Sequence, residues 1–291
     1  MPTRLLLASG LVSVALLVGL GLAYAATGSK LALAQAADSL ADALTGVGLL
    51  WALRVSRRPP DDEHPYGHHG AQPVAALVVA MLVGALAIEV LVDAVSALRT
   101  GHAAALGWSI AAGIGVKVVI KTVFVRLSSD PGLLQANATL RAFRVDARSD
   151  VIVGLASLVG FAAARFGDWP MLDAWLALPV AAWIGISGAL LARESIDLLM
   201  GTAPPTAWQD ALSKDLLLLP RVRAVGGIKA RSFGDHTHVW VDIRVDPHLT
   251  VGEGHDIGEA VEAYLLRREG ISDAVVHVDA AIGIAAPRPR G

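Results

Sequence analysis

The sequence predicts a polytopic α-helical membrane protein, a six-helix transmembrane bundle followed by a small α+β domain, and three observations carry that prediction. Of 291 residues, 54% are hydrophobic and only 17% charged, against about 25% charged in an ordinary soluble domain; the mean hydropathy is +0.56. Six apolar stretches are long enough to cross about 30 Å of hydrocarbon. After Pro204-Pro205 the composition changes abruptly to that of a soluble domain. Membrane lipid is therefore the first expected partner. A net charge of −2 carries no global basic character, so nucleic acid is not expected as one. The chain has no cysteine, which removes disulfides and removes thiolate from the possible metal ligands.

The six stretches run near 5–27, 31–54, 73–98, 104–127, 145–167 and 170–194. The first follows Arg4 and closes on Ala23-Tyr24-Ala25, which resembles a signal-peptidase site. Its apolar core is longer than the about 7–15 residues of a cleaved signal, and further spans follow at once, so a retained first helix is expected. Gly28-Ser29-Lys30, the polar run Arg57 to Gly70, Arg99-Thr100-Gly101, Ser128 to Arg144 and Gly167-Asp168-Trp169-Pro170 separate the spans. Arg4, Arg54, Arg57, Arg58, Arg126, Arg141, Arg144 and Arg193 fall on one side, while Lys30, Arg99 and Arg165 fall on the other. The positive-inside rule then places both termini in the cytoplasm, in agreement with an even number of crossings. The lean, Ala/Gly-rich chain reads as bacterial, which puts it in the inner (plasma) membrane.

In the soluble part, Trp208 to Leu219 reads as an amphipathic helix and Ala224–Ser232 as a strand. His238 to Val245 alternates strictly, with Val239, Val241, Ile243 and Val245 on one face and Trp240, Asp242 and Arg244 on the other. Val251 to Arg268 reads as a second helix and Ala274 to Asp279 as a last strand. The expected division is 1–203 for the transmembrane part, 204–285 for the cytoplasmic α+β part and 286–291 for a disordered Pro/Arg/Gly tail.

Four aspartates stand inside the predicted spans. Asp38 and Asp42 lie four apart on the second helix, and Asp146 and Asp150 lie four apart on the fifth. Each pair shares one helical face, one turn from the other member. A charge at the bilayer centre costs about 2.5–3.5 kcal/mol or more. Snorkelling to water suits Asp146 at its helix entry but not Asp42, which has apolar sequence on both sides. The resolution the spacing favours is two helices facing each other around a divalent cation. Four ionised aspartates outweigh such an ion, so the empty site is expected to hold protons that metal entry expels.

Two further clusters follow. The loop Asp61-Asp62-Glu63-His64-Pro65-Tyr66-Gly67-His68-His69-Gly70 offers carboxylates followed by histidines at i and i+4, a set that can close around a borderline or hard cation. On the third helix Glu89 and Asp93 form another i,i+4 pair, with Lys117 or Lys121 of the fourth helix as the expected ion-pair partner of Glu89.

The second helix with D-x-x-x-D, the D-D-x-H-x-x-G-H loop, the R-S-D of the fifth helix and the α+β domain together resemble the cation diffusion facilitator family, over nearly the whole chain. The resemblance implies a homodimeric exporter that exchanges a divalent metal for protons, with no prosthetic group and no enzymatic activity. It implies a transport site of Asp38, Asp42, Asp146 and Asp150 and, by likeness to bacterial zinc members, a secondary loop site of Asp61, His64 and His68. The family's soluble domain resembles a metallochaperone fold, dimerises and can bind metal as a sensor; similar ligand positions here are Asp242, His255, His277 and Asp279. One family histidine of the first strand falls near Gly226 or Gly227 and is missing. Zinc-transporting relatives usually place histidine where Asp146 stands, so the all-aspartate set resembles the manganese branch. Four oxygens suit Mn²⁺ whereas imidazole favours zinc; efflux of Zn²⁺ or Fe²⁺ by the same mechanism is the alternative. The charged lock of zinc relatives is absent, with Gly70 and Met200 at its positions.

Rivals of another class are an intramembrane metal-dependent enzyme and a non-transporting metal sensor. Phosphatidyl-transferases need an upstream D-G-x-x-A-R segment that does not precede Asp38, and an aspartyl protease would want G-x-G-D in a span, whereas Gly234-Asp235 lies in the soluble part and lacks the first glycine.

Overall fold

Apolar runs broken by glycine, proline and charge become helices in the computed structural model, which describes residues 2–101, 107–128, 138–167, 169, 171–233 and 236–281. The long helices are α1 (Pro2–Thr27), α2 (Lys30–Ser56), α3 (Ala71–Thr100), α4 (Trp108–Leu127), α5 (Ala138–Phe166) and α6 (Leu172–Leu199). Five of them, α1, α2, α3, α5 and α6, are long and apolar enough to cross a membrane. α4 has 20 residues with Lys117 and Lys121 in its middle, a length of about 30 Å at 1.5 Å per residue. Several helices outrun the apolar stretches that predict them; α5 begins at Ala138 and α6 continues to Leu199. The hydrocarbon sets the length of the apolar run, but backbone hydrogen bonding continues into polar sequence beyond it. The predicted start of the fourth helix at 104 and the tail 286–291 lie outside the described residues.

The chain divides into two compact units, one of residues 1–51 and 76–192, the other of 52–75 and 193–291. In the first, large apolar side chains point outward as well as inward: Leu11, Leu22, Met81, Ile88, Ile152 and Val159 are exposed. Such a surface suits lipid and would aggregate in water. With no hydrophobic gain between helices in lipid, close approach has to come from small residues. A Cβ on Gly154 would collide with Val118 of α4, and one on Gly160 with Leu176 of α6. The start of α2 is tied to α6 by Asp173, whose carboxylate accepts from the Ser29 hydroxyl (2.5 Å) and from the Lys30 (2.6 Å) and Leu31 backbone N–H groups. That cap satisfies donors a helix start leaves open.

In the second unit, α7 (Thr206–Leu217) and α8 (Val251–Leu266) accompany a sheet of β1 (Ala224–Phe233), β2 (His236–Val245) and β3 (Ile271–Ala280). β2 is central, antiparallel to β1 and parallel to β3. Its alternation works as the sequence predicts. Val239, Val241, Ile243 and Val245 are buried with Leu212 and Leu216 of α7 and Ile257, Val261 and Leu265 of α8, while Trp240 is exposed. Thr250 opens α8 with a capping box: its hydroxyl accepts from Glu253 N–H, and the Glu253 carboxylate accepts from Thr250 N–H.

Candidate metal centre

Helix α2 carries Asp38 and Asp42 one turn apart, and α5 carries Asp146 and Asp150 with the same spacing. Across the two helices, one carboxylate oxygen each from Asp42, Asp146 and Asp150 lies within 4.8 Å of the others. Asp150 is buried, Asp42 half-buried and Asp146 at the open edge of the trio. Asp38 is buried but outside the trio, with its carboxylate on the Lys117 ammonium.

Two cations fill this centre. Lys117 and Lys121 stand one turn apart on α4, and both are almost fully buried. Lys121 contacts Asp42 at 2.7 Å and also Asp150. Lys117, besides Asp38, donates to the Gln35 side-chain oxygen at 3.3 Å, and the Gln35 amide donates to the Ser157 hydroxyl at 2.9 Å. One polar chain thus links α4, α2 and α5, and Asp38, Asp150 and both lysines of this centre each have a partner of opposite sign, as the interior demands. This corrects the sequence-based pairing of Glu89 with Lys117 or Lys121. Glu89 is exposed on α3, and Asp93 pairs with Lys30 at 2.7 Å. The physical reason is that α4 packs on α5 and its lysines meet three aspartates, Asp38 and Asp42 of α2 and Asp150 of α5, against which one carboxylate on α3 cannot compete.

Three carboxylates converging from two helices can surround one ion. Their donors are all oxygen, the ligand set of hard divalent cations.

In the second unit the loop site also gathers. Asp61 Oδ1 accepts the His64 N–H at 2.7 Å, His64 Nδ1 lies 3.1 Å from the same oxygen, and His68 Nε2 lies 3.4 Å from Asp61 Oδ2. Gly67, with φ of +82°, makes the turn that brings the second histidine back. The His64 N–H, together with the nearby imidazoles, holds the Asp61 carboxyl below its ordinary value. The soluble-domain set does not gather. Asp242 and His277 are register partners on β2 and β3, but His255 sits on α8 beside Glu259 at 3.2 Å. Among the described residues no ligand group joins Asp242, His255, His277 and Asp279 within one chain. The strand partner of Asp242 on β1 is Gly227, which offers no side chain.

Beyond the predicted residues, the structure adds Lys117 and Lys121, and it stacks His69 of the loop on His236 of β2 with ring centroids 3.8 Å apart. The lysines repeat the i,i+4 spacing of the aspartates, which is the signal sequence reading could have used.

Residues 6–200 match the family described as the cation efflux transmembrane domain, and residues 204–281 match the cation efflux protein cytoplasmic domain. The manganese efflux system protein MneP of Bacillus subtilis is 24% identical over 258 residues, covering 86% of each chain. The cation-efflux pump FieF of Cronobacter sakazakii is 29% identical over 280 residues, covering 95% of this chain and 92% of that one. Among solved structures, a MamM CTD variant is 32% identical, covers 26% of this chain and 95% of its own, and has a TM-score of 0.25. With both parts of the chain matched and a carboxylate centre between its helices, the protein belongs to the cation efflux, or cation diffusion facilitator, family of membrane-spanning metal transporters and is not an enzyme.

Proposed function

We propose that the protein exports Mn²⁺ from the cytoplasm in exchange for protons, as a homodimer in the inner (plasma) membrane with both termini cytoplasmic. The observation that carries the reading is the convergence of Asp42, Asp146 and Asp150 from α2 and α5 into an all-oxygen trio. Similarity to a manganese efflux protein supports the choice of ion, and the match to a cytoplasmic domain typical of the family supports pairing through the soluble part. No prosthetic group is needed; the ion is cargo. Asp61, His64 and His68 form a second cation site on the loop, and its imidazoles are the specific observation that favours Zn²⁺ as a rival cargo.

Charge sets the exchange. The four aspartates carry four negative charges and the two lysines two positive ones, so a divalent ion brings the ionised site to neutrality. Removing the ion leaves two uncompensated charges in a low-dielectric medium, where they are costly. Two protons arriving from the far side restore the balance. Opening first to one face and then to the other turns that balance into antiport.

The test is uptake into vesicles with Mn²⁺, Fe²⁺, Zn²⁺ and Co²⁺ in competition. Mn²⁺ is expected to be carried and to suppress uptake of the others. Zn²⁺ uptake indifferent to excess Mn²⁺ would replace the manganese reading with the zinc one.

A further inference from the structure

Lys121 stands where the cargo should stand. Its ammonium contacts Asp42 at 2.7 Å and also Asp150, two of the three carboxylates that converge to the size of an ion site. Its side chain is only 2% exposed, so water does not screen the contact. One turn away Lys117, equally buried, holds Asp38 outside the trio. These are not surface ion pairs with a marginal contribution. They are buried cations on the same oxygens that would ligate a metal, and Asp42 and Asp150 cannot give those oxygens fully to both.

We propose that Lys121 is a tethered competing cation: it occupies the carboxylates of the metal-free site, must swing off at least one of them when a divalent ion loads, and returns to expel that ion on release. Lys117 acts beside it by withholding Asp38, the fourth carboxylate, until the ion draws it in. The idea rests on the transport-site reading and extends it to affinity and turnover. A site of four unopposed aspartates would hold a divalent ion tightly and let go slowly. An ammonium on a flexible stem lowers that affinity and offsets part of the charge of the empty carboxylates. Loading then occurs only when the cytoplasmic ion concentration is high enough to outcompete the lysine, which suits an exporter that should leave a basal metal pool in place. The device works by displacement of one cation by another.

The experiment is Mn²⁺ titration of the purified full-length protein by calorimetry, alongside uptake kinetics in proteoliposomes. Lys121→Met, which keeps the stem and removes the charge, is expected to bind Mn²⁺ at least about tenfold more tightly, with a lower KM and a lower kcat. A lysine with only a structural role would not produce that opposed pair of changes. Lys121→Arg, whose planar fork grips two carboxylates at once, is expected to bind Mn²⁺ about tenfold more weakly, and it decides the matter if the methionine variant does not fold. Unchanged or weaker binding in a folded Lys121→Met overturns the proposal, as does unchanged binding in Lys121→Arg. Asp42→Ala separates the two levels. If it removes the binding seen in the natural chain, the site stands and the lysine variants judge the lysine; if it leaves binding intact, the site reading falls and the lysine proposal falls with it.

Discussion

Asp42 and Asp150 each serve twice, as carboxylates of the trio and as partners of Lys121. Replacing either by alanine is expected to abolish metal efflux while the protein still inserts and dimerises, checked by vesicle uptake beside size-exclusion mass. Asp146 has the more open position and no ion pair among the described residues. Asp146→His should therefore be tolerated, and should shift the competition between Mn²⁺ and Zn²⁺ toward Zn²⁺ by about tenfold, because imidazole is the softer donor. A second residue-scale expectation concerns acidity. Burial holds the His238 imidazole below its ordinary value of 6.5. As pH falls through 6.5, unfolded chains bind a proton that the folded domain refuses, so stability is lost on acidification. Amide exchange across β2 in the full-length protein, corrected for intrinsic rates, should accelerate from pH 7.5 to 5.5. A His238→Phe variant should show a flatter response.

Helices and strands were legible in the sequence because each announces itself locally. The alternation of His238 to Val245 gave the central strand, and the apolar stretches gave the six long helices. The spacing of Asp38 with Asp42 and of Asp146 with Asp150 put each pair on one face, and the structure brings three of the four together. What periodicity cannot say is which faces become neighbours. Lys117 and Lys121 look from the sequence like partners for Glu89, and only the packing of α4 on α5 shows that the aspartates claim them. The stacking of His69 on His236 is hidden for the same reason, since the two rings come from segments far apart in the chain. Gly154 is the element-scale device that makes the α4–α5 contact close, because a side chain there would meet Val118. Gly154→Leu is expected to cost about 1–3 kcal/mol by overpacking and to weaken Mn²⁺ binding by moving Asp150 away from Asp42, read by detergent thermal melts and calorimetry. In the soluble part, Thr250→Ala removes one half of the capping box and should lower domain stability by about 1 kcal/mol. A thermal melt that leaves the domain unchanged would deny the cap that role.

At the scale of the whole molecule, the chain is an apolar bundle that tolerates a concentrated set of charges only because those charges compensate one another. In the proposed exchange, two lysines offset half of the aspartate charge, cargo the remainder when bound, and protons the same remainder when cargo leaves. The loop cluster of Asp61, His64 and His68 and the sheet domain lie in the other compact unit, so removing the loop ligands should alter metal loading without abolishing exchange. The most direct measurement is simultaneous Mn²⁺ uptake and proton counterflow in sealed proteoliposomes, for the natural chain and for Asp42→Asn. The account expects protons to move against Mn²⁺ at a fixed ratio near two to one, with both fluxes lost in the variant. Mn²⁺ entry without proton movement, or undiminished exchange in Asp42→Asn, would contradict it.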